Sequence, residues 1–375
     1  MTSPLPNTFI LAGFLTLLAT GALFASFGAL FPSLQQRFGL SESEVGVLVT
    51  MTSVGGILGS TVIGLAEGFL AFRFRVLSGS LLATLGVTAL AYSPLWWMIL
   101  VSGFIAGVGT AVLTVEVNGS FAKGFGERSA AVVSLGGAVF SIGAILGPSV
   151  VSFNPDEPRL LFFSVAMLFA LTLLVFSMTS FPSSLSTRAS KGAKGFPFIL
   201  LALFIGVFLM QTSVEIIITS WAATHIARQG FGLETAARVV AGFWGMVTLA
   251  RFLAVPISLR VKPPVMIATG FALTFLFGLM AQLPGLTMPA YILMGFSMGS
   301  LFPLLIAWMG QRMPHAKGVT AFALTGASLG AALFPPLGGR LIELTSVSSL
   351  PYLIVVLTVV GFTFVIVLHK FRTRA

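Results

Sequence analysis

Twelve long apolar runs, separated by short polar stretches, account for most of the chain. A helix of roughly 20 apolar residues spans the hydrocarbon core of a bilayer, so each run is long enough to be a membrane helix. The pattern therefore predicts an all-α polytopic membrane protein with twelve transmembrane helices. The predicted helices are at 7–31, 45–66, 76–93, 95–121, 130–151, 159–180, 197–224, 237–257, 265–283, 288–310, 319–338 and 351–369.

The second half of this pattern resembles the first half. Phe38-Gly39-Leu40, after the first run, corresponds to Phe231-Gly232-Leu233 after the seventh, and GGAVFSIGAILGPSVV in the fifth run corresponds to GASLGAALFPPLGG in the eleventh. A repeat of six spans predicts two six-helix bundles related by an axis along the membrane normal. We expect an N-terminal bundle at 1–181, a cytoplasmic connector at 182–196 and a C-terminal bundle at 197–375.

Glycines recur within the runs at the spacing of one helical turn. Gly55, Gly56 and Gly59 lie in the second run, and Gly143 and Gly147 lie in the fifth. Small residues four positions apart let two helix backbones approach closely in a membrane. These segments are therefore predicted to be helix–helix contacts.

Composition supports a membrane protein and narrows its chemistry. The chain is 57% hydrophobic and 8% charged, whereas a soluble domain has about 25% charged residues. It contains no cysteine, which excludes disulfides and thiol catalysis. His225, His315 and His369 lie far apart near helix ends, so they predict no metal site, and we expect His225 to be solvated. A phosphate-binding GxxxxGK[ST] segment is absent, as is any nucleophile–base arrangement at catalytic spacing, so neither ATP hydrolysis nor another enzymatic activity is expected.

The basic residues indicate an orientation rather than a nucleic-acid site. The net charge is +10, yet the 20 Lys and Arg residues form no contiguous patch. With the N-terminus placed in the cytoplasm, fourteen of them fall on the inner side and five on the outer side, and Arg251 lies within the membrane. Because inner loops carry an excess of Lys and Arg, both termini are predicted to be cytoplasmic. The predicted location is the cell membrane, as in a bacterial inner membrane.

The seventh run carries the most informative polar residues. Gln211 and Glu215 are four positions apart, so they share one helix face, and Thr219 follows one turn later. An ionisable group in the middle of a span should face protein or a water-filled cavity, because exposure to lipid is costly. We therefore expect Glu215 to bind substrate hydroxyl groups or to carry a coupling proton. The alternative is a structural carboxyl paired with a neighbouring helix.

Two tryptophans and one arginine follow in the seventh and eighth runs. Trp244 and Arg251 are seven residues apart, which again places them on one face. Trp221 and Trp244 could stack on the apolar face of a sugar ring, although tryptophans near span ends also form interfacial belts. Arg251 could bind an anionic substrate, because its guanidinium matches a carboxylate. We favour a gate or an interdomain salt bridge instead.

Twelve spans in two sets of six, with the Phe-Gly-Leu loops, resemble the major facilitator superfamily over the whole chain. Several motifs resemble its branch of fucose, galactose and glucose permeases and related sodium–glucose transporters. Members of that branch carry an acid followed six residues later by tryptophan, like Glu215 and Trp221. The segments Phe243-Trp244 and Ala250-Arg251 resemble the helix-eight motif, with alanine in place of glycine. Other matches are Asn118, Arg128, Gly147-Pro148, Gly295, Gly299 and Phe302-Pro303.

The chain departs from the family pattern in its fourth helix and in its second loop. Thr114 stands where the branch has an acid, and Glu116 lies two residues away, which on a regular helix is about 200° from Thr114 and Asn118. Glu116 is predicted to be either a second proton site or a static partner of Arg128 or another base at the inner end. Thr114 and Asn118 could line the cavity or form interhelical hydrogen bonds. Only Gly64, Glu67, Arg73 and Arg75 remain of the loop motif between helices two and three.

These features together predict a secondary active transporter with the major facilitator fold that works by alternating access. The resemblance implies a proton-coupled symporter of a small polar solute, a sugar first. A proton-coupled efflux antiporter of drugs or metabolites, including organic anions, and a membrane receptor or scaffold are the alternatives. We expect no cofactor, a proton as coupling ion with sodium left open, no nucleic-acid partner and a monomer in the lipid bilayer. The candidate residues are Gln211, Glu215, Asn118, Thr114, Trp221 and Trp244 for substrate, Glu215 and Glu116 for proton coupling, and Arg251, Glu67 and Arg128 for gating or interdomain contacts.

Overall fold

The computed structural model describes residues 5–66, 69–125, 128–155, 157–179, 198–313 and 319–371. These residues form thirteen α-helices, and no sheet is present among them. The helices are α1 (Asn7–Phe38), α2 (Glu42–Ala66), α3 (Phe72–Tyr92), α4 (Trp96–Gly124), α5 (Ser129–Phe153), α6 (Pro158–Ser177), α7 (Phe198–Arg228), α8 (Leu233–Ser258), α9 (Pro263–Met280), α10 (Thr287–Met298), α11 (Leu301–Arg312), α12 (Val319–Leu344) and α13 (Leu350–Lys370).

The helices confirm the predicted count of twelve spans. Within the described ranges, eleven helical stretches are long and apolar enough to cross a membrane, and α10 and α11 together form one of them, Thr287–Arg312. Helix α12 is the twelfth predicted span. The predicted ends were too short in α1, which continues through Pro32 to Phe38 and stops at Gly39 with φ of 66°. A left-handed glycine ends a helix without the strain that a side chain would cause.

The spans pack as two six-helix bundles joined along a seam. Helices α1–α6 contact one another, as do α7–α13, and the seam is formed by the pairs α1/α7, α2/α12 and α5/α8. The proposed connector 182–196 lies outside the described residues, so its limits stay a prediction. We call the face where α1 begins and α13 ends the terminal side, and the opposite face the distal side.

Glycine allows the helices within a bundle to touch through their backbones. A Cβ atom on Gly143 or Gly147 would collide with the carbonyl oxygens of Leu18 and Ala22 in α1. Gly59 meets the Val108 backbone of α4 in the same way. The predicted role of these small-residue runs is confirmed.

Glycines also bring helix backbones together at the distal end of the seam. A Cβ on Gly28 of α1 would collide with the Thr219 carbonyl of α7. Gly46 of α2 lies against the Pro335 backbone of α12, and Gly339 of α12 lies against Glu42 of α2. No side chain fits between these backbones, so the two bundles are in direct contact on the distal side.

One face of α2 shows that the seam opens towards the terminal side. At the distal end of this face, Ser43 hydrogen-bonds Glu343 of α12 and Thr50 Oγ1 donates to the Ala332 carbonyl at 2.6 Å. Further along the same face, at helical spacing, Val54, Leu58 and Leu65 are 41%, 46% and 73% exposed. The face of α2 that packs on α12 at the distal end is therefore not covered by another helix near the terminal side. The bundles enclose a space that opens on the terminal side.

Candidate functional site

The polar face of α7 lies where the two bundles begin to separate. Gln211 Nε2 donates to Glu215 Oε2 at 2.7 Å, and Thr212 Oγ1 donates to Gln211 Oε1 at 3.2 Å. Thr219, one turn further along, is the residue against which Gly28 of α1 packs. Glu215 therefore lies about 6 Å along the helix from the closed seam, on the face turned towards the first bundle.

The Glu215 carboxylate is held on one side only. Gln211 is fully buried, and both ends of its amide are occupied, so it fixes the position of Glu215 Oε2. Within the described part of the chain, Glu215 Oε1 accepts no hydrogen bond. The arrangement leaves one carboxylate oxygen available to a proton or to a hydrogen-bond donor from outside the protein.

Arg251 of α8 ties the two bundles together next to this face. Its Nη1 donates to Ser141 Oγ of α5 at 2.7 Å, and its Nε donates to the Gly299 carbonyl at 3.1 Å. Ser141 is completely buried and belongs to the first bundle. The arginine thus forms an interdomain hydrogen bond through Ser141. Ser141 was not among the candidates predicted from the sequence, because its partner lies 110 positions away.

Glu215 and Arg251 attract each other without forming an ion pair. Each group acts electrostatically on the other. However, the two are not among the ion pairs formed by the described residues. The guanidinium is instead bound to a hydroxyl and a carbonyl, and the carboxylate to an amide. The two charged groups therefore interact over a longer distance than an ion pair allows.

Trp244 adds an aromatic wall to the α5/α8 contact. Its ring packs on Phe140 of α5, with centroids 6.2 Å apart, and on Phe243. Its indole Nε1 is buried and has no hydrogen-bond acceptor in the described structure. An unpaired buried donor is costly. The expectation that Trp244 stacks on a sugar ring stays a prediction.

The helix break between α10 and α11 lies directly beside Arg251. Helix α10 ends at Met298 and α11 begins at Leu301. Gly295 and Gly299 place α10 against the Phe243 and Val247 backbones of α8. The break leaves the Gly299 carbonyl available, and Arg251 Nε binds it. The glycines of the motif noted in the sequence thus bring α8 and the broken helix together.

The described bonds of the Glu116 carboxylate do not involve the residues around Glu215. Arg75 of α3 binds it through Nε at 2.5 Å and through Nη2 at 3.2 Å, and both side chains are buried. Arg75 also donates to the Leu70 carbonyl at 2.8 Å and lies over the Phe72 ring. Of the two roles considered for Glu116, this contact is that of a static partner of a terminal-side base. The base is Arg75, whereas the sequence pointed first to Arg128.

The remaining candidate residues are not brought together with Glu215. Asn118 Nδ2 donates to the Thr114 carbonyl of its own helix at 3.0 Å, and both residues are half-buried. Arg128 is exposed at the start of α5. Trp221 is fully buried, where its Nε1 donates to the Pro335 carbonyl at 3.0 Å and its ring packs on Phe31. Glu67 lies outside the described residues.

Trp221 is therefore part of the distal seam rather than of the open space. Phe31 belongs to α1 and Pro335 to α12, so this tryptophan joins three helices from both bundles. Its indole N–H is already satisfied, in contrast to that of Trp244. Stacking of a sugar on Trp221 would require the distal seam to open.

Polar contacts that the sequence analysis did not anticipate reinforce the distal seam. Glu343 of α12 accepts hydrogen bonds from the Ser43 backbone N–H at 2.7 Å and from Ser43 Oγ at 2.6 Å, and Arg340 binds its other oxygen at 2.9 Å. Arg228, at the end of α7, forms an ion pair with Glu42 at the start of α2. Acids at the N-terminus of α2 are favourable for its dipole.

His225 was expected to be solvated, and this expectation was wrong. The imidazole is only 2% exposed, and its Nδ1 lies 2.8 Å from the Tyr291 hydroxyl of α10. Its Nε2 lies 3.3 Å from Gln229 Nε2. A position near the end of a span does not by itself expose a side chain when another helix covers it. Among the described residues there is no cluster of side chains that could hold a metal ion.

The fold and this arrangement define a membrane transporter of the major facilitator type. The sequence profile of the Major Facilitator Superfamily matches residues 9–324. The chain therefore belongs to this superfamily. It is a multi-pass membrane transporter and not an enzyme.

Similar proteins share the fold at low sequence identity. The uncharacterized MFS-type transporter YfkL of Bacillus subtilis is 21% identical over 321 residues, which are 81% of each chain. The human major facilitator superfamily domain-containing protein 4A is 29% identical over 134 residues, which are 35% of this chain and 26% of that protein. The match thus spans about a quarter of the length of the human relative.

Solved transporter structures superpose over nearly the whole chain. The D-xylose–proton symporter matches with a TM-score of 0.75 and 16% identity, covering 98% of both chains. The nucleoside transporter NupG gives 0.74 and 14%, covering 97% of this chain and 99% of that chain. FucP in the outward conformation gives 0.67 and 17%, with the same coverage. The predicted superfamily and the likeness to sugar–proton symporters are confirmed at the level of the fold.

Proposed function

We propose that the protein is a secondary active transporter that moves a small, uncharged polar solute, a sugar in the first instance, together with a proton. Three transporters of similar fold are named for D-xylose, fucose and nucleosides, all of which bear several hydroxyl groups. Because their identity to this chain is low, these structures support a common architecture and nothing finer. The residues around Glu215 carry the argument for the solute and for the proton.

The observation that carries the proposal is the half-bonded carboxylate of Glu215. Gln211 holds one oxygen, and the other accepts no bond from the described residues. Ionisable residues within membrane spans commonly belong to proton relays or substrate pathways. In our proposal Glu215 Oε1 takes the coupling proton, and the protonated carboxyl donates this hydrogen to a hydroxyl oxygen of the solute, so that proton and solute are bound together.

The charge balance of the site favours an uncharged solute. Glu215 and Arg251 carry opposite charges that act on each other, and the Arg251 fork is already engaged by Ser141 and Gly299. An anionic solute would have only the remaining guanidinium N–H groups to bind and would lie near the Glu215 charge. The Trp244 indole N–H and the Phe140 ring fit a molecule with hydroxyl groups and an apolar face.

The asymmetry of the seam supports the proposal of alternating access. The distal contacts at Gly28, Gly46 and Gly339 close one side, while the α2 face beyond Thr50 is uncovered on the other. We propose that the terminal side is cytoplasmic, because fourteen of the 20 basic residues fall there by the predicted topology. The structure then represents the inward-open arrangement, and the opposite one requires the distal seam to separate.

The test is uptake into proteoliposomes of labelled D-xylose, L-fucose, D-glucose and D-galactose, with and without an inward proton gradient. Wild type should accumulate one sugar only with the gradient. Glu215→Gln should lose accumulation but keep exchange of that sugar across the membrane, because the amide cannot release a proton. Glu234→Gln, an exposed glutamate at the distal start of α8, is the matched control and should behave as wild type.

Accumulation by Glu215→Gln at the wild-type level would refute the role of this carboxyl. Absence of every sugar signal under both proton and sodium gradients would refute the sugar and leave the transporter assignment intact. Export of an apolar compound under an opposite gradient would then favour the antiporter alternative.

A further inference from the structure

A second cavity lies on the distal side of the C-terminal bundle, away from the seam. It has a volume of about 440 Å³ and is formed by the end of α7, the connection between α9 and α10, and the start of α13. Sites for small molecules commonly enclose about 300–1,000 Å³. No Asp, Glu, Lys or Arg side chain lines it among the described residues. Nothing in the transport site described above uses this cavity.

The polar groups of the cavity are fixed from beneath by a buried network. Gln229 Nε2 donates to Thr287 Oγ1 at 3.1 Å and lies 3.3 Å from His225 Nε2, and Thr287 Oγ1 donates to the Ala281 carbonyl at 3.1 Å. His225 and Thr287 are 2% and 3% exposed. The network holds the Gln229 amide in one orientation, and Gln229 Oε1 accepts no bond from the described residues.

Gln282 supplies a second amide on the opposite wall. Its only described bond is from Nε2 to the Gly278 carbonyl at 3.5 Å, at the limit of a hydrogen bond, and its Oε1 has none. The wall itself is a tight turn: Leu286 N–H donates to the Leu283 carbonyl at 3.1 Å around Pro284 and Gly285, and Gly285 has φ of 77°. Pro and Gly in this order with this φ define a type II turn, which is rigid.

Two aromatic rings frame the opening. Phe231 is 45% exposed and Tyr352 is 58% exposed, and both line the cavity. Phe231 belongs to the Phe-Gly-Leu loop that the sequence repeat singled out and the transport site does not use. Two amides near exposed rings, that of Gln229 held in place by the buried network, match a molecule that has hydroxyl groups along its edge and an apolar face, because no acid or base adds a formal charge.

We propose that this cavity is a second binding site, on the distal face of the C-terminal bundle, for an uncharged polyhydroxylated small molecule such as a sugar or a cyclic polyol. Gln229 and Gln282 bind its hydroxyl groups, and Phe231 and Tyr352 cover its ring. The site is separate from the Glu215 region and does not require the bundles to move. It can therefore be occupied whether or not the same molecule is transported.

The test uses the fact that the chain has no cysteine. Ser348 lines the cavity and is exposed, and Ser346 is exposed two residues away in the same loop but does not line it. Ser348→Cys and Ser346→Cys are therefore closely matched single-cysteine variants. Their labelling rates with a polar maleimide are measured on purified protein in lipid nanodiscs, with D-glucose, D-xylose, maltose or myo-inositol added.

At least one compound should slow labelling at Ser348→Cys by about threefold at twice its Kd, because a third of the sites then remain empty. Labelling at Ser346→Cys should not change. Adding Gln282→Ala should remove the protection, whereas adding Gln36→Ala, an exposed glutamine on the distal side of the other bundle, should not. Protection should also persist in Glu215→Gln, because the cavity does not depend on the central carboxyl.

No protection by any of the four compounds would overturn the proposal, as would equal protection at Ser346→Cys. Loss of protection in Glu215→Gln would also overturn it, because the signal would then originate in the central site. Transport by Ser348→Cys is measured separately. A compound that protects but is not taken up supports the second site and is refuted as a transported solute. A compound that is taken up but does not protect is supported as a transported solute and does not bind the second site.

Discussion

Two buried acid–base combinations in this protein are built in opposite ways. Arg75 and Glu116 form a direct, two-point ion pair inside the N-terminal bundle. Arg251 and Glu215 attract each other without contact, and each is bound to uncharged groups instead. In the first pair every strong interaction is already made within the protein. In the second, the charges are kept apart, and one carboxylate oxygen of Glu215 accepts no hydrogen bond from the described residues.

The largest effect on stability should come from breaking the closed pair. Glu116→Gln leaves the Arg75 charge buried without its partner, so the free energy of unfolding in micelles should fall by ~3–5 kcal/mol. The double variant Arg75→Met/Glu116→Met should recover much of this loss, because no charge is then left unpaired. A single variant as stable as wild type would show that the pair is solvated or replaceable.

A smaller effect is expected at the tie between the bundles. Ser141→Ala removes the hydroxyl that Arg251 Nη1 binds across the α5/α8 contact, and a hydrogen bond to a charged group contributes about 1.5–3 kcal/mol. We expect a loss within this range, together with a changed ratio of the inward- and outward-open forms in double electron–electron resonance. Ser149→Ala, whose hydroxyl binds only the Ile145 carbonyl of its own helix, is the control. Equal effects of the two substitutions would argue against a tie.

The smallest effect on stability is expected at Glu215, although the same Glu-to-Gln change is made as at Glu116. Arg251 keeps Ser141 and Gly299, and the new amide can still bond to Gln211, so the loss should be about 1 kcal/mol or less in the same unfolding assay. Proton-driven accumulation should nevertheless disappear. If Glu215→Gln were as destabilising as Glu116→Gln, the contrast between the two combinations would be wrong.

The sequence predicted the architecture well because its signals are local. Span lengths and glycine spacing can be read within single helices, and they correctly predicted that Gly143 and Gly147 lie at a helix–helix contact. Gln211 and Glu215 were also found, since an i,i+4 pair on one helix is visible without a fold.

What the sequence could not predict are partners on other helices. Arg75 and Ser141 reach Glu116 and Arg251 over 41 and 110 positions, and nothing local distinguishes them from other basic or hydroxyl residues. His225 was misjudged for the same reason, because Tyr291 covers it from α10. The first span was predicted to end at residue 31, but α1 continues through Pro32 to Phe38.

The break at Gly299 and Ser300 divides the tenth span into two halves with different neighbours. Gly295 and Gly299 pack on the α8 backbone, and Arg251 Nε binds the Gly299 carbonyl directly after the end of α10. Helix α11 begins anew beyond the break, packs on α9 and α7, and ends with exposed Gly310 and Gln311 on the terminal side. The distal half of the tenth span is therefore held by α8, whereas its terminal-side half rests on α9 and α7.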